Sequence, residues 1–295
     1  MGGVQGYQIS LYQFLLVWGD RDDHRVFHGY IQPEQDQAGN AAMNIILLGS
    51  GNVATHFGEA LVKAGHRVTQ VYSRTYAHAS RLADRIGAEP VAELGALDRK
   101  ADLYLIAVSD DVIGRLAAQL PSSLQGLVVH TAGSVGMDVL AQPQRRYGVM
   151  YPVQTFSLAK AVDFTKVPLA LEGSDEQVYT QLEQIAVTLS GRTFACDSKQ
   201  RLAIHVAAVF VCNFANHLYA IGADLLDRHG LAFDLVRPLI LETAQKVLAY
   251  QPREVQTGPA VRNDFGTMEK HLGLLADRPE LMSLYQLISA RIQSN

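Results

Sequence analysis

Hydrophobic positions change their spacing near residue 198. Before it, short apolar runs alternate with stretches of helical period. Residues 44–48 form an apolar run of strand length, and Val53, Phe57, Ala60, Leu61 and Ala64 then recur at helical spacing up to Gly65, a helix-stopping glycine. Residues 68–72 read as the next strand, 81–86 as part of a helix stopped by Gly87, and 102–108 as a buried strand. A helix capped by Asp110 or Asp111 continues to Leu120. Further strands are predicted over 127–130, 148–152, 167–171 and 191–194, with a helix over 175–189. Strands alternating with helices predict an α/β fold built on a doubly wound parallel sheet, which the last strand pair extends. After residue 198 long helices with short connections take over, and 203–221 is apolar on almost every face. A helix of that kind must be buried between other elements, and packing across a homodimer interface achieves this.

The first strand ends in Gly49-Ser50-Gly51-Asn52-Val53-Ala54. Strand, tight glycine turn and helix N-terminus form the arrangement that holds a dinucleotide pyrophosphate. Gly49 permits the turn, Gly51 lets the backbone approach the phosphates, and Ala54 lets helix and strand pack closely. Free N–H groups at the helix start, Ser50, Asn52 and Val53 among them, would meet the anion. The second strand selects the cofactor. NAD-binding versions place a carboxylate about 20 residues on, whereas this chain has Ser73-Arg74-Thr75 there. Two hydroxyls and a guanidinium suit a ribose 2′-phosphate, so the expected cofactor is NADP(H). The loop after Val108, with Ser109, and the strand end at His130 lie where open α/β sheets bind ligands. Both are expected at the nicotinamide end.

The 295 residues carry a formal net charge of −4 and contain no basic tract, which argues against nucleic acid or an anionic membrane as the partner. Two cysteines, Cys196 and Cys212, form neither a metal cluster nor a disulfide framework. A reducing cytoplasm is the expected compartment, and no metal is expected. Residues 1–42 differ from the rest in pattern. An apolar run over 11–18 is followed by a charged stretch and a polar linker, with neither the basic start nor the cleavage site of a signal peptide. The expectation is a disordered arm or a misassigned start ahead of Met43.

In the helical half, His205, Asn213, Asn216 and His217 are embedded in the apolar run, which argues against a membrane helix. At about 100° per residue, His205, Cys212 and Asn216 fall within about 20° of one another, and Asn213 lies about 80° away. His205 is the candidate proton donor. Asn213 and Arg262 are candidates to orient a substrate, Arg262 because its five fixed donors suit a carboxylate or phosphate. Asp264 reads as a helix N-cap, and Thr267 and His271 share a face.

The segments Ile45 to Ala54, Ala107-Val108-Ser109-Asp110-Asp111, Met150-Tyr151-Pro152-Val153-Gln154-Thr155-Phe156, His205 through Asn213, and Gly258-Pro259-Ala260-Val261-Arg262-Asn263-Asp264 resemble the Rossmann-like proteins whose C-terminal part is a domain of unknown function. That family is similar in architecture to pyrroline-5-carboxylate reductase and the 6-phosphogluconate dehydrogenase superfamily. The resemblance implies an NADP domain over 43–197, an all-α dimerisation domain over 198–295, and an active site in the cleft between them. The β-hydroxyacid dehydrogenase branch uses a helix lysine followed one turn on by asparagine. Here Lys199 is followed at the fourth position by Ala203, so that lysine is not carried over, and the region offers His205. The leading expectation is reduction of a small C=O or C=N compound. The alternative is an NADP(H)-binding sensor or scaffold dimer without turnover.

Overall fold

The computed structural model describes residues 41–294; the expectations for the first 40 residues lie outside them. The sequence order is β1 (Asn44–Leu48), α1 (Asn52–Lys63), β2 (Arg67–Tyr72), α2 (Tyr76–Ile86), β3 (Glu89–Val91), β4 (Leu103–Ile106), α3 (Asp110–Gln119), β5 (Leu127–His130), β6 (Tyr147–Pro152), β7 (Leu169–Gly173), α4 (Glu176–Leu189) and β8 (Thr193–Ala195). The strands form one eight-stranded sheet in the order β3-β2-β1-β4-β5-β6-β7-β8. The first six run parallel. β7 then pairs antiparallel with β6, and β8 parallel with β7. The sheet is therefore mixed rather than wholly parallel at this edge. The connection between β6 and β7 carries no α-helix, only a short 3-10 turn (Phe164–Lys166), and without a crossover helix the returning strand lies antiparallel.

Period-two alternation divides the core. Ile45 and Leu47 of β1 face one layer, with Phe57, Leu61, Leu82 and Leu182 from the helices. Ile46 and Leu48 face the other, with Tyr104, Ile113, Leu116 and Leu140. Both layers exclude water, as a strand buried on two faces requires.

Helix ends follow local chemistry. α2 stops at Gly87, which is left-handed at φ 71°, and Gly65 after α1 has φ 89°. Asp175 caps α4 by accepting from the Val178 N–H at 2.9 Å. At α3 the capping position falls to Ser109, which makes no side-chain cap. Asp110 and Asp111 instead occupy the first turn, where their charge meets the positive end of the helix.

The helical half consists of α5 (Ser198–Ala208), a π-helical segment (Val209–Phe214), α6 (Ala215–Arg228), α7 (Arg237–Ala249), α8 (Phe265–Leu274) and α9 (Pro279–Gln293). Asp197 and Gln200 form a reciprocal capping box at the start of α5. None of the residues of α6, α7 or α8 is buried. The rod 198–228 is long and apolar enough to cross a membrane by length and composition, but its first half is tied to the sheet by the polar contacts described below.

Candidate active site

Gly49 has φ 132°, and a Cβ there would collide with the Ala107 carbonyl. Only glycine fits where β1 turns beside the end of β4. A Cβ on Gly51 would meet nothing within 4 Å, so its bare backbone faces open space. α1 begins there without a side-chain cap and without an acidic residue in its first turn. Its leading N–H groups are left to an external acceptor. Asn52 holds the mouth in place, its Nδ2 donating to the Phe156 carbonyl at 3.0 Å.

This turn is one wall of a cleft of about 590 Å³, within the usual range for small-molecule sites. Gly49, Ser50, Gly51, Asn52, Val53, Ser73, Arg74, Val108 and Ser109 all line it. Thr75 does not line it and sits instead at the N-cap of α2. Sequence reasoning missed Val112, Arg115, Leu116 and Gln119, the face that α3 turns to the cleft. Their spacing of three, four and seven is the helical signature that would have found them.

His130 is placed differently from expectation. It is 0% exposed, its Nδ1 accepts from the Ala132 N–H at 3.1 Å, and its Nε2 has no partner among the described residues. Burial, with the Arg201 charge adding to it, pushes its pKa down to about 4. The imidazole is sealed beneath the loop that follows β5 and does not line the cleft.

Asp110 joins the nucleotide cleft to a second polar cluster. It lines the cleft and accepts from the Ser134 hydroxyl. Beside Ser134, Gly133 packs against the Tyr151 ring and the His205 imidazole; a Cβ there would stand 2.9 Å from His205 Nδ1 and from Tyr151 Cζ. Tyr151 Oη lies 3.4 Å from His205 Nδ1, with the rings edge to face. Burial raises the Tyr151 phenol, and the Asp110 charge adds to this. Beneath them Arg201, 1% exposed, pairs with Glu172 and donates to the Ala132 carbonyl at 3.1 Å and the Val135 carbonyl at 2.6 Å. Glu172 also accepts from Ser198 Oγ at 2.9 Å. Ser198, Arg201 and His205 thus present one face of α5 to the loop after β5.

Cys212, in the π segment, reaches Thr155 Oγ1 at 3.8 Å. Asn216 lies exposed instead of continuing that face. A π turn advances fewer degrees per residue than an α turn, so the straight helical wheel loses register beyond Val209. Asn213 and Arg262 are both exposed, and neither hydrogen-bonds to His205 or Tyr151 among the described residues. Asp264 caps α8 by accepting from the Thr267 N–H at 3.1 Å, and the Thr267 hydroxyl together with that N–H lowers its pKa. His271 pairs with Tyr285 at 2.9 Å, so both serve the helical packing.

Glycine turn, parallel sheet and open helix N-terminus define a Rossmann-type fold with a helical second half. The description "Rossmann-like domain" matches residues 31–153, and "Domain of unknown function (DUF2520)" matches residues 167–292. A crystal structure from Bacteroides fragilis, of a candidate NADP oxidoreductase, is 41% identical and covers 86% of this chain and 99% of its own, with a TM-score of 0.78. This chain belongs to that family of Rossmann-like proteins with a C-terminal domain of unknown function. An imine reductase from Myxococcus stipitatus in complex with NADP+ is 16% identical over 85% of this chain and 93% of its own, at a TM-score of 0.62. The 1-pyrroline-5-carboxylate reductase of Streptococcus pyogenes is 14% identical over 86% and 99%, at 0.60. These two share the fold. No curated protein matches the chain.

Proposed function

We propose that this protein is an NADP(H)-dependent oxidoreductase that reduces a small carbonyl or imine compound between its Rossmann and helical parts. One observation carries the reading. The bare Gly51 backbone, the uncapped start of α1 and the carboxylate-free Ser73-Arg74 end of β2 line a single cleft, and Asp110 on its wall bonds Ser134, whose neighbour Gly133 packs against His205 and Tyr151. The cleft fits a dinucleotide phosphate. Arg74 and Ser73 would hold the 2′-phosphate, and the N–H groups of α1 the pyrophosphate. Bound NADPH supplies the hydride. His205 supplies the proton to the oxygen or nitrogen of the substrate.

The active unit in this reading is a homodimer through the helical half. Phe210, Val211, Leu239, Leu241 and Leu248 are exposed in the single chain. An apolar groove of about 260 Å³ runs between Leu218, Ile221, Leu225, Leu281 and Ile288. A second copy is the occupant that would bury these faces. A reducing cytoplasm suits the free thiols of Cys196 and Cys212.

Calorimetric titration with NADPH and with NADH tests the cofactor. Arg74→Ala should weaken NADPH by about 10- to 100-fold, the loss of a charge-assisted contact, and leave NADH unchanged. Absence of binding by either nucleotide would sink the reading. Tight NADPH binding with no oxidation across a panel of imines and carbonyls would move it to a sensor.

A further inference from the structure

Resting on that reading, we infer that Tyr151 is the positioning residue for His205, its hydroxyl oxygen accepting from Nδ1–H so that Nε2 becomes the nitrogen that exchanges the proton with substrate. The geometry is specific. Tyr151 Oη is 3.4 Å from Nδ1, and Gly133 presses on both side chains from one side. His205 Nε2 has no protein partner among the described residues. Tyr151 itself is 8% exposed, too enclosed to serve a substrate directly.

Charged groups from three elements surround the pair. Asp110, on α3, is the carboxylate whose field reaches the phenol, with Arg201 of α5 and Cys196 also acting on it. Arg201 is itself neutralised by Glu172 of β7. The phenolic oxygen keeps lone pairs that can accept from Nδ1–H whichever way its own hydrogen points. Which ring nitrogen keeps its proton is set by the bond the other makes. With Nδ1–H held, the reaction step balances. The imidazolium Nε2–H bond breaks and its electron pair stays on Nε2. The proton joins the substrate oxygen or nitrogen whose carbon has received the hydride, and neutral imidazole remains with its proton on Nδ1.

Ring-nitrogen NMR on the protein without cofactor or substrate tests this, with the His205 signals assigned by their loss in His205→Gln. In its neutral form native His205 should carry its proton on Nδ1, the tautomer that a free histidine side chain in water disfavours. Tyr151→Phe should return the proton to Nε2. Gly133→Ala, which wedges the two rings apart while keeping the hydroxyl, should do the same and carries the test if the phenylalanine variant does not fold. A native ring protonated on Nε2, or a tautomer indifferent to both substitutions, overturns the inference. Because no nucleotide is present, that result is independent of the NADPH titration, whose failure would sink the reductase reading instead.

Discussion

The two halves of this chain solve burial differently. In the Rossmann half, Ile45 to Leu48 are 0% exposed, covered on both faces by the chain's own helices. In the helical half, Leu248 is 86% and Val211 77% exposed, although their helices are regular and well bounded. Most helical stability in proteins comes from tertiary packing, and this half has almost no interior of its own. The glycine turn sits on a sheet with its own core, whereas the framework that carries His205 leaves large apolar faces exposed.

The sharpest way to break this contrast is to put charge on the open faces. Leu239→Glu with Leu248→Glu should cost on the order of 5 kcal/mol of assembly, the penalty for burying unpaired charge. Light scattering should then show a fall from twice 32.3 kDa to the single-chain mass. A native protein that runs at the single-chain mass with stable helices would erase the distinction. Next in size is the tie between the halves. Arg201→Met strands Glu172 without its buried partner and should cost about 4 kcal/mol, read as a lowered urea midpoint. Adding Glu172→Gln should recover part of the loss; no recovery would mean the pair is not what joins them.

His130 sharpens the comparison from the Rossmann side. Its folded pKa of about 4 lies below the ordinary 6.5, so the unfolded chain binds the proton more readily. The contribution is complete above pH 6.5 and is lost as pH falls toward 4, about 3 kcal/mol in all. His130→Asn should flatten that part of the stability profile, and an unchanged slope would show the imidazole is not sealed. The smallest effect is local: Asp175→Ala removes one cap of α4 and should lower stability by about 1 kcal/mol, measured by thermal melting.

The Rossmann half was legible because its signals are local. Apolar runs, stopping glycines and the Gly49 to Ala54 turn each depend on neighbours in sequence. β3 escaped because it is three residues long and contains Pro90, tolerable only at the sheet edge it occupies. The nucleotide wall was read from spacing, except for the α3 face that lies across the cleft. His130 and Arg201 show the limit: both are polar, both are buried, and sequence period does not reveal which polar residue the fold encloses. Tyr151 lay within a predicted strand, but its pairing with His205, 54 positions away, exists only in three dimensions. The π segment hid a further step, since nothing in Val209–Phe214 announces the change of pitch that turns Asn216 away.

The reversal of β7 has a consequence for how the helix that carries His205 is delivered. Six parallel strands all end at the ligand-binding rim, and a helix leaving a seventh such strand would run away from it. Because β7 and β8 point the other way, the chain descends before α5 begins, and Ser198 starts beside Glu172, which pairs with Val149 partway down β6. The rod must then climb back. It passes Ala132 at Arg201, draws level with Tyr151 at His205 and reaches Thr155 at Cys212. One backward strand pair thus acts as a run-up, converting an edge of the sheet into a ramp that brings an imidazole to the rim.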